Sequence, residues 1–328
     1  MGYFENNQVL EAEPIVVKDE EPKDILHIIS VVSSPFGQDT RIELAQDFIT
    51  RMQETEKKHP CILYVIEIIY ENQSFRLKLQ NPKHLLKIEL PNSCILWNKE
   101  NMINVGVRHF LPSDWKYMAW IDADIEFKDP YWVEETIKTF KDHNADILQL
   151  FSYCRFLGRD HLPKTYWFSS MFQYVQKQMG YSTKYFWQSG FAWACTHSAF
   201  ERMEGLFDDA IVGAGDHIMK NSFIGTQMKN FNDYKNIPGL YRKIVEFYDR
   251  VSNFKCWFVN GIIVHNYHGE KKNRMYDRRL AILEKHDYDP DIHLDKNNCL
   301  GLSCPSNDMS IEFQSDIQDY FRTRQEST

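Results

Sequence analysis

Apolar residues along this chain fall into two alternating rhythms. Ile25 to Val32 (ILHIISVV) is a β-branched run ending in Ser-Ser-Pro-Phe-Gly, the form of a strand buried on both faces and delivered into a loop. Arg41 to Met52 then sets Ile42, Leu44, Ala45, Phe48, Ile49 and Met52 near a 3.6-residue period, which predicts a helix with one apolar face. Cys61 to Tyr70 reads as a second buried strand and Tyr117 to Ile121 as another. Between them Glu100 to Phe110 reads as a helix with Met102, Ile103, Val105 and Gly106 in its apolar part. Strands alternating with helices predict an α/β sheet with parallel strands, whose ligands gather where loops leave the carboxyl ends of the strands.

Past residue 150 the rhythm breaks. An aromatic-rich stretch runs from Phe151 to Trp193, and one last β-branched run, Trp257 to Val264, leads into His265-Asn-Tyr-His-Gly. No internal repeat is apparent. Residues 1–24 show no sustained period and read as a flexible tail; residues 300–328 read as a wrapping arm or a frayed tail.

Composition narrows the classes. With 43% apolar and 26% charged residues, the 328-residue chain is an ordinary globular protein with a full core. The formal charge of −8 argues against nucleic acid or anionic lipid as partner. That charge sits in the tails. Residues 1–24 hold seven acids and two bases and residues 300–328 five acids and two bases, so 25–299 is neutral. Seven cysteines without a close CxxC pair indicate neither a disulfide framework nor a zinc knuckle. No apolar stretch reaches the roughly 18 to 20 residues of a membrane span and no signal peptide is seen, so the expected compartment is cytoplasmic.

Four features carry candidate chemistry. Asp122 and Asp124 stand two apart where the strand Tyr117 to Ile121 ends, and extended geometry would send both to one side, where they suit Mg²⁺ or Mn²⁺. The bland reading of such a pair is a polar turn. Asp216, between Gly213-Ala214-Gly215 and His217, reads equally as a general base and as the N-cap of a helix over 217–223. His265 and His268 offer imidazole ligands, and the bases that follow, Lys271 and Arg274 among them, suit a diphosphate. The aromatic belt, including Trp187 and Trp193, exceeds what one core layer needs and offers a flat face for a sugar.

Taken in order, Asn98 to Gly106, Tyr117 to Asp124, Gly190 to Trp193, Gly213 to Asp216 and His265 to Arg274 resemble the motifs of metal-dependent GT-A glycosyltransferases. The likeness is to the β-1,4-galactosyltransferase type and to viral and bacterial family 2 relatives. The resemblance implies a Rossmann-like mixed sheet flanked by helices in one catalytic domain, 25–299, with a nucleotide-binding half (25–150) and an acceptor half (151–299). It implies inverting transfer from a nucleotide diphosphate sugar, expected to be a UDP-sugar, to a glycan hydroxyl, with Mn²⁺ or Mg²⁺. By the same resemblance Asp124 and His268 are metal ligands, with Asp122 and His265 beside them, and Asp216 is the base. Ser34, Pro35, Phe36, Arg41, Lys99, Asn104, Asp122, Lys271 and Arg274 are donor contacts, and Trp187, Gly190 and Trp193 face the acceptor. The rivals are a nucleotidylyltransferase, for which Gly37 to Arg41 is a poor triphosphate loop, and a non-catalytic carbohydrate-binding protein.

Overall fold

β1 (Leu26–Ser33) is almost wholly apolar because it lies between two parallel neighbours, β2 (Cys61–Tyr70) and β4 (Tyr117–Ile121), in the middle of a seven-stranded sheet. The computed structural model describes residues 24–178, 187–225, 228–269 and 278–323. The N-terminal tail up to residue 23, and Lys271 and Arg274, lie outside the described residues. The parallel part of the sheet ends in β3 (Leu85–Leu90). Helices α1 (Asp39–Glu56) and α2 (Lys99–Phe110) connect its strands, α1 burying Ala45, Phe48, Ile49 and Met52 as its period predicts.

Beyond β4 a second sheet begins with β5 (Ile125–Phe127), and α3 (Trp132–His143) leads back to β6 (Ile147–Gln149). β7 (Tyr153–Leu157) and β8 (Pro163–Ser169) form an antiparallel pair, followed by α4 (Ser170–Gln178) and β9 (Trp187–Gln188). β10 (Ala192–Thr196) enters the main sheet antiparallel to β4 and β6. Three helices follow, α5 (His197–Met203), α6 (Gly215–Phe223) and α7 (Pro238–Val251), and then β11 (Cys256–Phe258) and β12 (Ile262–His265). The chain ends in α8 (Arg279–Lys285), α9 (Pro290–His293) and α10 (Ile311–Thr323). The main sheet has the order β11-β6-β10-β4-β1-β2-β3 and the second β5-β12-β7-β8-β9.

One expectation needs correction. The run Trp257 to Val264 is not one strand: β11 pairs with β6 in the main sheet and β12 with β5 and β7 in the second. Ser152 fixes the crossover, its hydroxyl donating to Asn260 Oδ1 and accepting from the Gly261 N–H. Of the two readings of residues 300–328, the packing is that of an arm and not a frayed tail, because α10 buries Phe313, Ile317, Tyr320 and Phe321 in the same core as Met102 and Ile103 of α2 and Phe223 of α6. The other face of the sheet packs a second core, with Phe48 from α1, Phe140 from α3 and Ile263 from β12.

Candidate active site

β5 and β12 pair antiparallel with His265 opposite Ile125, which brings His265 beside Asp124 although they lie far apart in sequence. The backbone N–H and the side-chain amide of Asn266 both donate to the Asp124 carbonyl, at 2.9 and 3.2 Å. Nε2 of His268 then lies 3.0 Å, and Nε2 of His265 3.7 Å, from Asp124 Oδ2. One ligand atom from each of the three lies within 4.8 Å of the others. Both histidines therefore stand beside Asp124. Asp124 Oδ1 is buried and accepts no hydrogen bond among the described residues. Burial alone would raise the Asp124 carboxyl, but His265 and His268, with Arg41 beyond them, hold it well below the carboxylate range. A charged carboxylate with a bare buried oxygen beside two imidazoles fits a divalent ion, and that mixed N and O set suits a first-row metal such as Mn²⁺ better than Mg²⁺, which prefers oxygen alone.

Asp122 and Asp124 stand in a turn between β4 and β5 rather than on extended chain, so their common side comes from the turn and not from the period of a strand. The Asp122 N–H donates to the Phe191 carbonyl at 2.7 Å, continuing the β4–β10 pairing, and its carboxylate accepts from Lys99 Nζ at 2.7 Å. Burial raises the Asp122 carboxyl although Lys99 opposes it. For Lys99 burial works against the charge, and Asp122, Glu100 and Asp216 outweigh it, so the ammonium is firmly held.

These groups line an open cavity of about 650 Å³ whose wall includes Arg41, Trp97, Lys99, Asp122, Asp124, Phe191, His265 and His268. A neighbouring cavity of about 620 Å³ shares Val31, Arg41, Trp97 and Lys99 with it, and adds Pro35, Phe36, Asn98 and Phe321. The structure thus brings Pro35, Phe36, Arg41 and Lys99 together beside the metal candidates. Two expected donor contacts are placed elsewhere. Ser34 is buried and its hydroxyl closes the loop, donating to Gln38 Oε1 and accepting from the Gln38 N–H. Asn104 is buried in α2, where its amide donates to the Leu206 carbonyl and accepts from the Leu206 N–H, tying α2 to the end of α5.

Asp216, whose charge is felt by Lys99, is the second residue of α6, whose cap position is Ala214. Asp216 is therefore not the N-cap, though its Oδ1 accepts the His217 N–H at 2.8 Å. Ala214, at φ +90°, and Phe191, at φ +83°, hold the left-handed region that costs residues with side chains about 1 to 3 kcal/mol, strain of the kind that gathers at functional sites. Gly190 permits the close approach of the two segments, because a Cβ there would lie 2.7 Å from Asp216 Oδ2. Ser189 Oγ donates to the same oxygen at 3.3 Å. Among the described residues Asp216 makes no ion pair. Trp193 is no wall for an acceptor: it is buried, stacks on Trp120, and its indole N–H donates to the Ser189 carbonyl at 2.9 Å. Trp187 is exposed on β9.

Sequence reasoning missed Glu100 and Phe321. Glu100 gives no signal, since an acid in the first turn of a helix is ordinary. Phe321 gave one: Phe313, Ile317, Tyr320 and Phe321 repeat at helical spacing.

The main sheet is mixed, seven-stranded and covered by helices. Residues 97–204 match the glycosyl transferase family 2 model, a span that holds Lys99, Asp122, Asp124 and Gly190 and stops short of Asp216 and the two histidines. No curated protein sequence matches the chain. Among solved structures it is similar to a mutant of Drosophila β-1,4-galactosyltransferase 7 in complex with manganese, UDP-Gal and xylobiose, at 12% identity and TM-score 0.36, over 72% of this chain and 65% of the fly chain. It is also similar to a mannosyltransferase of Pyrobaculum calidifontis with GDP-Man and Mn²⁺, at 13% identity and TM-score 0.41, over 80% of this chain and 64% of the other. A third is a glycosyltransferase involved in glycosylation of the major capsid of PBCV-1, at 13% identity and TM-score 0.30, over 80% of this chain and 98% of that one. The chain thus spans somewhat under two thirds of the length of the first two.

Proposed function

We propose that this chain is a metal-dependent, inverting glycosyltransferase that moves a sugar from a nucleotide diphosphate sugar, expected to be a UDP-sugar, to a hydroxyl of a glycan or glycoconjugate. The observation that carries this reading is the convergence of Asp124, His265 and His268 on a cavity that also holds Lys99 and Arg41. An anion would be met there by two side-chain cations. Asp124, His265 and His268 would hold the ion, with Asp122 near it; when bound, a divalent ion supplies Lewis-acid neutralisation of a leaving diphosphate. Lys99 and Arg41 offset the remaining charge, and the aromatic cavity of Pro35, Phe36 and Phe321 is the place for the nucleoside.

Asp216 takes the proton of the acceptor hydroxyl. The new bond from that oxygen to the anomeric carbon forms as the bond to the diphosphate oxygen on the opposite face breaks, which inverts the configuration. Gly190 lets the chain entering β10 pack close against Asp216 Oδ2, and Ser189 orients it. All seven cysteines are free thiols, which suits a reducing, cytoplasmic site of action. No described helix is long and apolar enough to cross a membrane.

The test is a screen of nucleotide sugars for hydrolysis with and without Mn²⁺. Turnover of one donor, dependent on the ion, is expected. No turnover of any nucleotide sugar by protein with the ion bound would sink the reading.

A further inference from the structure

Glu100 is a buried acid that the reaction above does not use. It is 3% exposed, in the first turn of α2, and its Oε2 accepts the indole N–H of Trp97 at 3.0 Å. Its carboxylate lies against the start of α6: a Cβ added at Gly215 would stand 2.7 Å from Glu100 Cδ and 2.8 Å from Oε1. The space that Gly215 leaves empty is the space that the Glu100 carboxylate fills. The next residue is Asp216. Trp97, at the other end of the contact, lines both cavities. Glu100 therefore joins Trp97 of the cavity wall to the first turn of α6, which carries Asp216.

We propose that Glu100 is the positioning residue of the acceptor side: it fixes Trp97 and the first turn of α6, and sets a second negative charge behind Asp216. Two like charges in a low-dielectric setting repel, so the charge on Asp216 opposes ionisation of Glu100. The groups facing this pair are Lys99 on α2, Asp122 in the β4–β5 turn, His217 and Lys220 on α6, and Arg279 at the start of α8 near Gly213 and Trp97. Burial, with Asp216 adding to it and Lys99 opposing, pushes the Glu100 carboxyl up to about 7. The charge behind Asp216 is thus present above neutrality and lost below it. The inference rests on Asp216 as the base only for its catalytic consequence; the coupling of the two acids is measurable without turnover.

The experiment follows the fluorescence of Trp97 against pH in the full chain, as the difference from Trp97→Phe. A titration with a midpoint near 7 is expected, absent in Glu100→Gln and moved to lower pH in Asp216→Asn, where the like charge is gone. A midpoint that Asp216→Asn leaves in place overturns the proposal. Stability gives a second reading. An acid raised by burial costs the fold nothing below its unfolded value near 4.5 and its full penalty above about 7. Glu100→Gln, which keeps an acceptor for Trp97, is therefore expected to raise the thermal midpoint at pH 8 and leave it unchanged at pH 4.

In turnover, Glu100→Gln is expected to lower kcat by about 3- to 10-fold at pH 8 with donor KM unchanged, and to remove the acidic limb near neutrality. Gly215→Ala, at a helical position that accepts a side chain, should reproduce this by displacing the carboxylate. A Glu100→Gln profile superposable on the parent at every pH overturns the proposal. Loss of activity in neither Asp216→Asn nor Glu100→Gln sinks the base reading, while the Trp97 midpoints still decide the coupling.

Discussion

The two groups of acids around Lys99 manage their charges differently. On the metal side Asp124 faces two imidazoles, at 3.0 and 3.7 Å, and its carboxyl is held ionised. On the other side Glu100 and Asp216, with Asp122 at the edge, face Lys99, with Lys220 and Arg279 nearby, and both Glu100 and Asp122 are raised by burial. The first group pairs its carboxylate with imidazoles, which favours the ionised acid. The second buries acids among like charges, which costs stability when they ionise. A group transfer asks for both: positive charge where the diphosphate leaves and basic oxygen where the hydroxyl attacks.

The sharpest way to break this comparison is Asp216→Asn. Asn keeps the shape and can still accept the His217 N–H, so the fold and donor affinity should be preserved. Turnover to acceptor should fall by roughly 10² to 10⁴-fold, the usual contribution of a general base. The nearby acids Asp208 and Asp209 cannot replace it, since Lys296 binds both at 2.6 and 3.0 Å. Near-normal turnover would remove Asp216 from the mechanism.

The metal side is tested by Asp124→Ala. Loss of second-layer partners alone typically weakens a metal site by about 10- to 100-fold, so removing a ligand should cost about 100-fold or more in Mn²⁺ affinity. Calorimetric titration of the ion checks this directly. Unchanged affinity would mean that the histidines and the acid meet for structural reasons only.

How far these groups were legible in sequence depends on what made each one. β2 and β4 were readable to the residue, because strands buried on both faces are continuous apolar runs with no competing period. Asp124 and His268 were readable because each stands where such a run stops. The pairing of β5 with β12, which brings them together, was not: β5 is three residues long, and the sequence treats β11 and β12 as one strand. Trp193 and Asn104 mislead for the opposite reason. Each sits in a motif near the cleft, yet the register of β10 and the face of α2 turn them inward, and one-residue phase is what pattern reading fixes least well. Gly215 and Glu100 are a contact between elements, invisible to any local period.

A smaller effect sharpens the donor side. Phe321 comes from α10, beyond the span that matches the family model, and lines the cavity with Phe36, over whose ring Arg322 lies at 5.5 Å. Phe321→Ala should weaken nucleotide affinity about tenfold, equivalent to about 1.4 kcal/mol, with Mn²⁺ affinity unmoved. Because Phe321 also packs in the core, a thermal midpoint measured alongside separates lost contact from lost fold. Unchanged nucleotide affinity would place the nucleoside elsewhere.

The least effect is expected at Trp187. Its backbone is anchored, since the neighbouring Gln188 carbonyl accepts from Gln149 Nε2 at 2.8 Å and from Ser170 Oγ at 3.0 Å. Trp187 as a residue is 36% exposed, and Ser189 and Gly190, which touch Asp216, follow two and three residues on. A rigid, exposed aromatic face this near the base is suited to the C–H face of an acceptor sugar. Truncation to Ala removes the face without disturbing the anchor, so acceptor KM should rise by about 2- to 10-fold with donor KM and Mn²⁺ affinity constant. Trp187→Phe, which keeps an aromatic surface, should recover most of the loss. Equal acceptor KM in all three proteins would show that the acceptor approaches Asp216 from another side, and the acceptor wall would then have to be sought away from β9.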